Sequence, residues 1–409
     1  MLHKLQTFFG HRLLQQAVAL LTVVIVAAVG VNLLATSHAA SPYASVEANS
    51  GILAGGATQQ TDSSTADGSY VQFGTPPTSS NFSPLIGVSR SSPYSLADIE
   101  WWEGPTASDH HADIIDVFDG GTSWSILDGD SSTSGMTNVA SVASEIGAQV
   151  EYTVGMYPSG GTSPNCQQDP QDSTTVFNED AACMAAAAAG DYNSYFTELG
   201  NNLVASGLSK AIIRLGQECN GDFDPWSIFV DPSGYIQAYQ NEVTALRAAA
   251  GQDFLFSWNC GSGSINGLSS TPGTTYYPGN AYVDFISADL YDGDGSSCPT
   301  TSNEDITSTM SSLEQFAAQP TINKYLAFDE WGLWYGSAGS CTDDPTFIQN
   351  MYNFISNPAN RVGYAIYLEQ STSAMYYSNL PETNGFPNSS AEYTKLFSQL
   401  PNGYLPSGL

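Results

Sequence analysis

Eight short runs of apolar, largely β-branched residues recur along this chain, each followed by a longer stretch in which apolar positions return at helical spacing. They begin at Leu85 (LIGVS), Asp113 (DIIDVF), Gln149 (QVEYTVGM), Ala211 (AIIRLGQ), Asp253 (DFLFSW), Val283 (VDFISADLY), Tyr325 (YLAFDE) and Val362 (VGYAIYL). Apolar runs this short and continuous read as strands buried on both faces, the pattern of a parallel sheet covered by helices. The spacing predicts helices over Tyr192 to Ser206, Ser233 to Ala250, Thr307 to Ala318 and Pro345 to Ser356. Eight parallel strands with crossover helices over about 325 residues predict an α/β fold, a (β/α)8 TIM barrel. A doubly wound sheet fits less well, because no Gly-rich phosphate fingerprint follows the first run.

The segments before the barrel differ in composition. Met1 to Gln16 hold His3, Lys4, His11 and Arg12 and no acid, and Ala17 to Ala35 is apolar except for Thr22 and Asn32. Small residues Ser37 and Ala39 follow, so residues 1–40 read as a signal peptide cut near Ala39 or Ala40, or as a retained membrane anchor. Residues 41–74 read as a short β segment with Gly turns. Its wording, Gly55-Gly56-Ala57 and Gly68-Ser69-Tyr70-Val71-Gln72-Phe73-Gly74, resembles part of a jelly-roll carbohydrate-binding module, yet it is too short for a complete sandwich. Residues 75–84, with Pro76, Pro77 and Pro84, form a linker by composition, and 85–409 form the barrel domain. Export also accounts for the cysteines: Cys166, Cys183, Cys219, Cys260, Cys298 and Cys341 all lie beyond the signal, without a C-x-x-C pair. Three disulfides are expected. The strand layout suggests 166 with 183, 219 with 260 and 298 with 341.

Charge narrows the partners. Against 40 Asp and Glu stand 9 Lys and Arg, and Lys4 and Arg12 belong to the signal. A chain so anionic repels phosphate backbones and anionic lipid surfaces, so nucleic acid and charge-driven membrane attachment are excluded as partners. A neutral or cationic partner is expected, and a monomeric, secreted protein with no membrane contact after signal cleavage. Beyond residue 40 the histidines are His110 and His111, which read as an exposed turn. A multi-histidine metal site and a Ser-His-Asp triad therefore lack material. G-x-S-x-G, P-loop and G-x-G-x-x-G signatures are absent. The turns Asp128-Gly129-Asp130 and Asp292-Gly293-Asp294 lack the rest of a calcium loop and read as solvated. No cofactor or metal is expected.

In a barrel, chemistry sits at the C-terminal ends of the strands, so polar residues that close an apolar run are informative. Two runs close on glutamate: Arg214-Leu215-Gly216-Gln217-Glu218-Cys219-Asn220-Gly221 and Phe328-Asp329-Glu330-Trp331-Gly332. They are fourth and seventh, which places Glu218 and Glu330 on the same barrel mouth. Two opposed carboxyls are the minimum kit for glycoside hydrolysis, one protonated to donate to the leaving oxygen and one ionised to act at the anomeric carbon. Two unrelated ion-pair partners are the alternative, with few cations available to pair.

The segment Arg214 to Gly221 with Phe223, Pro225 and Trp226 resembles the acid/base strand of glycoside hydrolase family 26, whose characterised members are largely endo-β-mannanases with some β-glucanases and xylanases. Phe254-Leu255-Phe256-Ser257-Trp258-Asn259 resembles its fifth strand. Tyr277 to Asp284 with Asp289-Leu290-Tyr291 resembles the sixth, and Asp329-Glu330-Trp331-Gly332 the nucleophile strand. The resemblance implies that Glu218 is the general acid/base and Glu330 the nucleophile of a retaining double displacement. Tyr291 would hydrogen-bond the nucleophile, and Asn220 would hold a sugar hydroxyl. Phe223 and Trp226 would offer apolar faces to pyranose rings, with Trp258 and Trp331 as further substrate-binding candidates; for Trp226 a core role is the alternative. Arg214 would order either glutamate, or form a structural ion pair. Three departures bear on the sugar. Gln217 stands where the family usually has His, Met156-Tyr157 where mannanases often carry Trp-His, and the eighth strand lacks a Trp, leaving Tyr367 or Glu369 for that place.

The sequence thus predicts a secreted retaining endo-β-glycanase acting on a neutral polysaccharide, with β-1,4-mannan first and mixed-linkage β-glucan or xylan behind it. A non-catalytic carbohydrate-binding barrel and a transglycosylase using the same residues are the other readings. Few cations are available to hold carboxylates ionised, so activity on the acid side is expected.

Overall fold

A computed structural model describes residues 58–61, 69–72 and 83–409, apart from 91–94, 97–98, 104–111, 120, 130–135, 159–161, 164–165, 168–175, 222–223, 261–272, 293–301, 334–342, 370–379, 381–385 and 407–408. Residues 1–40, expected as a signal peptide or anchor, most of the expected linker, His110, His111, Phe223, Cys298, Cys341 and parts of both Asp-Gly-Asp turns lie outside the described residues. The chain divides into two compact units, Met1–Ser80 and Asn81–Leu409. In the first, strands Thr58–Thr61 and Ser69–Gln72 pair antiparallel.

The second unit is a closed barrel of eight parallel strands in chain order: β1 (Leu85–Arg90), β2 (Ile114–Phe118), β3 (Gln149–Val154), β4 (Ile212–Leu215), β5 (Leu255–Asn259), β6 (Phe285–Asp292), β7 (Tyr325–Leu333) and β8 (Val362–Glu369). β8 closes the ring against β1 with Tyr364 opposite Leu85 and Glu369 opposite Arg90. Each expected run is a strand. The helices are α1 (Glu100–Glu103), α2 (Trp124–Leu127), α3 (Met136–Ile146), α4 (Val176–Ala189), α5 (Asn193–Ala205), α6 (Pro232–Leu246), α7 (Ser302–Ala317), α8 (Pro345–Ile355) and α9 (Pro387–Phe397). Between β3 and α4, Thr162–Ser163 and Cys166–Gln167 form a small antiparallel pair.

Local chemistry sets the helix starts. Asp231 caps α6 by accepting from the backbone N–H groups of Ser233 and Gly234, and Asp344 caps α8 by accepting from Thr346 and Phe347. In both, proline follows at the first helical position, where its missing N–H costs nothing. α8 then buries Phe347, Ile348, Met351 and Ile355, a stripe at helical spacing, against the barrel.

The core has two parts. The larger lies between strands and helices, and a smaller cluster of Leu85, Ile114, Ile212, Phe285, Ala327, Tyr364 and Ile366 comes from inward-facing strand positions. This apolar plug sits at the N-terminal end of the barrel. The chain end covers it: Leu405 packs on the plug, Tyr404 N–H donates to Ser83 O at 3.2 Å, and Gly403 N–H donates to Asp113 Oδ2 at 3.0 Å. Above the plug the interior turns polar, with Asp116, Glu151, Arg214, Ser257, Ser287 and Asp329 all buried.

Close packing between β1 and β2 depends on Gly87. A β-carbon there would lie 1.8 Å from the backbone oxygen of Ile114, an overlap that no side-chain rotation relieves. Gly87→Ala is expected to lower stability by about 3 kcal/mol, read as a shift in the urea midpoint followed by circular dichroism. An unchanged midpoint would contradict this packing.

Candidate active site

β4 ends at Leu215, and the chain leaves it through two left-handed residues, Gly216 at φ 61° and Glu218 at φ 50°. Glycine takes that conformation freely, and here it is also required by space, since a β-carbon on Gly216 would meet Met156 Cγ at 2.7 Å. For glutamate the conformation costs about 1–2 kcal/mol, so neighbours must hold it. Glu218 N–H donates to Asn259 Oδ1 at 2.7 Å, Cys219 N–H donates to Asn259 O at 3.1 Å, and Ile228 N–H donates to Cys219 O at 2.9 Å. The disulfide Cys219–Cys260 ties the same two strand ends together, as the strand layout suggested. Cys183 is also disulfide-bonded.

β7 contributes two consecutive acids through a β-bulge. Ala288 pairs with Phe328 and Asp289 with Glu330, so Asp329 is the extra residue; against β8 the register likewise shifts between Phe328 and Trp331. In a regular strand one of two neighbours would face the helices. The bulge instead lets both Asp329 and Glu330 reach Arg214.

Arg214, from β4, is completely buried. Its Nη1 donates to Glu330 Oε1 at 2.5 Å, its Nη2 pairs with Asp289, and its Nε lies 3.3 Å from Asp329 Oδ2. Tyr291 on β6 donates its hydroxyl to Glu330 Oε2. Both oxygens of Glu330 are thus engaged by donors that fix the carboxyl plane. Beneath it, Asp329 accepts from Ser257, Ser287, Asn259 Nδ2 and Tyr364, and Tyr364 also contacts Glu151. Asp116 accepts from Ser89 and Thr153 at 2.9 Å each.

The electrostatics follow from burial and from too few cations. Burial, then the charge of Glu330, push Glu218 up to about 7 against the pull of Arg214. Burial likewise raises Asp116 to about 7, and it raises Asp224 to about 7 with help from the charge of Glu218. Glu151 and Asp289 are driven well above the carboxylate range, again chiefly by desolvation. Glu218 is therefore a carboxyl that keeps its proton near neutrality, beside a second carboxyl clamped by a guanidinium and a phenol.

Glu218, Glu330, Arg214 and Tyr291 come together at one mouth. Asn220 is half-buried in the turn after Glu218. Trp258 and Trp331 do not line the mouth. Trp258 alternates outward from β5, donates to Tyr235 and packs edge-on against Tyr277; Trp331 faces outward past the bulge and packs on Tyr367, Tyr393 and Phe397. Both are sealed between barrel and helices, so the expectation that they bind substrate is corrected. Trp226 is 4% exposed: it sits over Gly155 and Gly216 and donates to Gln217 O, which is its core alternative. Tyr367 is buried too, and Glu369 pairs with Arg90 at 3.3 Å and accepts from Trp102. Sequence reasoning missed Asp289, Asp329, Asn259, Asp116, Glu151 and Asp224 as members of this cluster. Asn259 carried a usable signal, since it is a polar residue at the end of an apolar run.

Comparison with known structures bears on this arrangement. GH26C from Muricauda sp. superposes with a TM-score of 0.57, covering 80% of this chain and 88% of that one at 16% identity. An endo-β-1,4-mannanase double mutant from Cellulomonas fimi gives 0.54 over 80% and 73%, also at 16% identity. A GH26 β-mannanase from Bacteroides ovatus gives 0.53 over 80% and 91% at 17% identity. The chain has the (β/α)8 fold of these proteins. The likeness to family 26 is thereby borne out at the level of the fold. Among curated proteins, Endoglucanase H of Acetivibrio thermocellus is 25% identical over 187 residues, 44% of this chain and 20% of that protein, so the match spans a fifth of the relative's length. No family model matches the chain.

Because Glu218 and Asp116 titrate near 7 when folded and near 4 when unfolded, the folded state binds more protons between those values. Stability is therefore fullest at the acid end and falls as pH rises through about 7. The urea midpoint at pH 5 is expected to exceed that at pH 8. Arg214→Met, which leaves its buried carboxylates unpaired, is expected to cost about 3–5 kcal/mol at pH 8 and less at pH 5, where protons replace the lost cation. Equal losses at both pH values would contradict the charge balance described.

Proposed function

We propose that this protein is a secreted glycoside hydrolase, a retaining endo-β-glycanase that cuts a neutral polysaccharide with Glu218 as general acid/base and Glu330 as nucleophile. The observation that carries the reading is the asymmetry of the pair. Glu218 holds its proton to about pH 7, as a donor to a glycosidic oxygen must, while Glu330 is gripped by Arg214 and Tyr291 on both oxygens, as a carboxylate aimed at an anomeric carbon must be. The barrel fold shared with endo-β-1,4-mannanases supports a polymer cut within a cleft at the strand ends.

In the first step Glu218 gives its proton to the leaving oxygen as Glu330 attacks, and a glycosyl ester forms on Glu330. Glu218, now ionised, takes a proton from the incoming water, and the ester is hydrolysed with net retention. Tyr291 and Arg214 keep Glu330 oriented through both steps. Asn220, half-exposed beside Glu218, offers its amide to a sugar hydroxyl. β-1,4-Mannan is the first substrate, on the fold comparison. β-Glucan is the second, favoured by the Endoglucanase H match, and xylan follows.

Reducing-sugar release is measured on mannan, glucomannan, mixed-linkage glucan and xylan between pH 4 and 8. One polymer is expected to be cut, with activity falling above about pH 7 as Glu218 loses its proton. Glu218→Ala and Glu330→Ala are each expected to lose about 10³-fold or more, and the first product is expected in the β-anomeric form. Glycan binding without cleavage across the panel would replace the hydrolase with a carbohydrate-binding barrel.

A further inference from the structure

Asn259 closes β5 and is 1% exposed. Its amide makes three hydrogen bonds, and all go to groups around the two glutamates. Oδ1 accepts from the backbone N–H of Glu218 at 2.7 Å, while Nδ2 donates to Asp289 Oδ1 at 2.8 Å and to Asp329 Oδ2 at 3.0 Å. Asp289 and Asp329 are two of the carboxylates that hold Arg214, whose Nη1 reaches Glu330. A single side chain therefore joins the backbone of one glutamate to the ion cluster that carries the other.

The chemistry required at this position is narrow. One acceptor must face an N–H, and two donors must face two carboxyls, within a single short planar group. An amide meets that requirement when neutral. An ionised Asp would bring a further buried acid charge into a cluster whose acids already outnumber Arg214, and an apolar residue would leave a buried N–H and the facing Asp289 and Asp329 oxygens without their bonds to this side chain. The bond to Glu218 falls on the residue whose left-handed φ of 50° needs support. The Cys219–Cys260 disulfide and the Cys219 N–H bond to Asn259 O fix the next residue, Trp226 donates to Gln217 O and Gly221 N–H to Glu218 O, and the Glu218 N–H itself is held by the Asn259 amide.

We propose that Asn259 is the positioning residue of this site: its amide locks Glu218 in the left-handed conformation and so holds that carboxyl in the desolvated mouth, beside the Arg214-bound Glu330. The inference rests on the reading of Glu218 as proton donor. Without the amide, the segment after β4 relaxes toward ordinary backbone angles and the Glu218 carboxyl swings toward water.

The test uses the full-length protein with 13C-labelled glutamate, the Glu218 carboxyl being assigned by its loss in Glu218→Gln. In the wild type it is expected to titrate near 7. In Asn259→Ala the midpoint is expected to drop by at least one pH unit, and kcat on the hydrolysed glycan to fall about 10- to 100-fold with KM little changed. Asn259→Asp keeps the acceptor and, when protonated, one donor. The charged groups facing it are Arg214 and Glu218 from the β4 side, Asp289 from β6, and Asp329 and Glu330 from β7. Carboxylates outnumber the guanidinium there, so the new acid keeps its proton at low pH. Asn259→Asp is therefore expected to recover activity and a protonated Glu218 carboxyl at pH 5 and to lose both by pH 7. This variant also serves if Asn259→Ala fails to fold.

A Glu218 midpoint that is the same in wild type and both variants overturns the inference whether or not a glycan is cut. A shifted midpoint in a protein that cuts no glycan keeps the positioning role and removes the hydrolase reading instead. A purely structural asparagine would lower the melting temperature and leave the titration where it was.

Discussion

One guanidinium, sealed inside a barrel with more acids than it can neutralise, sets the charge state of everything above it. Arg214 pairs with Asp289, Asp329 and Glu330, and its field also reaches Asp116, Glu151, Glu218 and Asp224. A single positive charge cannot hold seven buried or half-buried carboxyls ionised, because each would bear the cost of lost hydration without a full counter-charge. Protons supply the difference. Glu218, which does not touch the guanidinium, keeps its proton to about 7, and even Asp289, which does touch it, is pushed well above the usual carboxylate range by burial. The asymmetry that acid/base chemistry needs is thus a consequence of scarcity: placing a second Arg in this cluster would pull Glu218 back toward an ordinary acid.

Two backbone irregularities put the glutamates where that field acts. On β7 the bulge at Asp329–Glu330 brings two successive acids to the same side of the strand; on β4 the left-handed turn at Gly216 and Glu218 lifts a carboxyl over the barrel rim. Each departs from the most favourable strand geometry. They persist because the surroundings over-determine them, through the disulfide and the Asn259 bonds on one side and through the Asp329 network of Ser257, Ser287 and Tyr364 on the other. The apolar plug below is regular by contrast, and the chain end that covers it is tied down by backbone hydrogen bonds. Stability and chemistry thus occupy opposite ends of one barrel.

The aromatic residues belong mostly to the first of these tasks. Trp258, Trp331, Tyr367, Tyr393 and Phe397 fill the space between strands and helices in stacked and edge-on contacts, where ring area removed from water contributes most. Composition alone cannot tell a ring that meets a sugar from one that meets a helix.

The sequence by itself determined the eight strands, because strands buried on both faces must be continuous apolar runs, and it determined that Glu218 and Glu330 close two of them on one rim. It also pointed to the Cys219–Cys260 bridge, because the ends of adjacent strands must lie close. Tertiary structure decided the rest. Whether a strand residue faces the barrel interior or the helices depends on the phase of alternation, and a single extra residue at Asp329 resets that phase for Trp331. Asp116, Glu151 and Asp289 sit in apolar runs in which nothing local marks them as a cluster; the closure of the ring brings them around Arg214. Protonation was illegible for the same reason, since it follows from how deeply a carboxyl is buried and how far it lies from Arg214, and both depend on strands far apart in the chain.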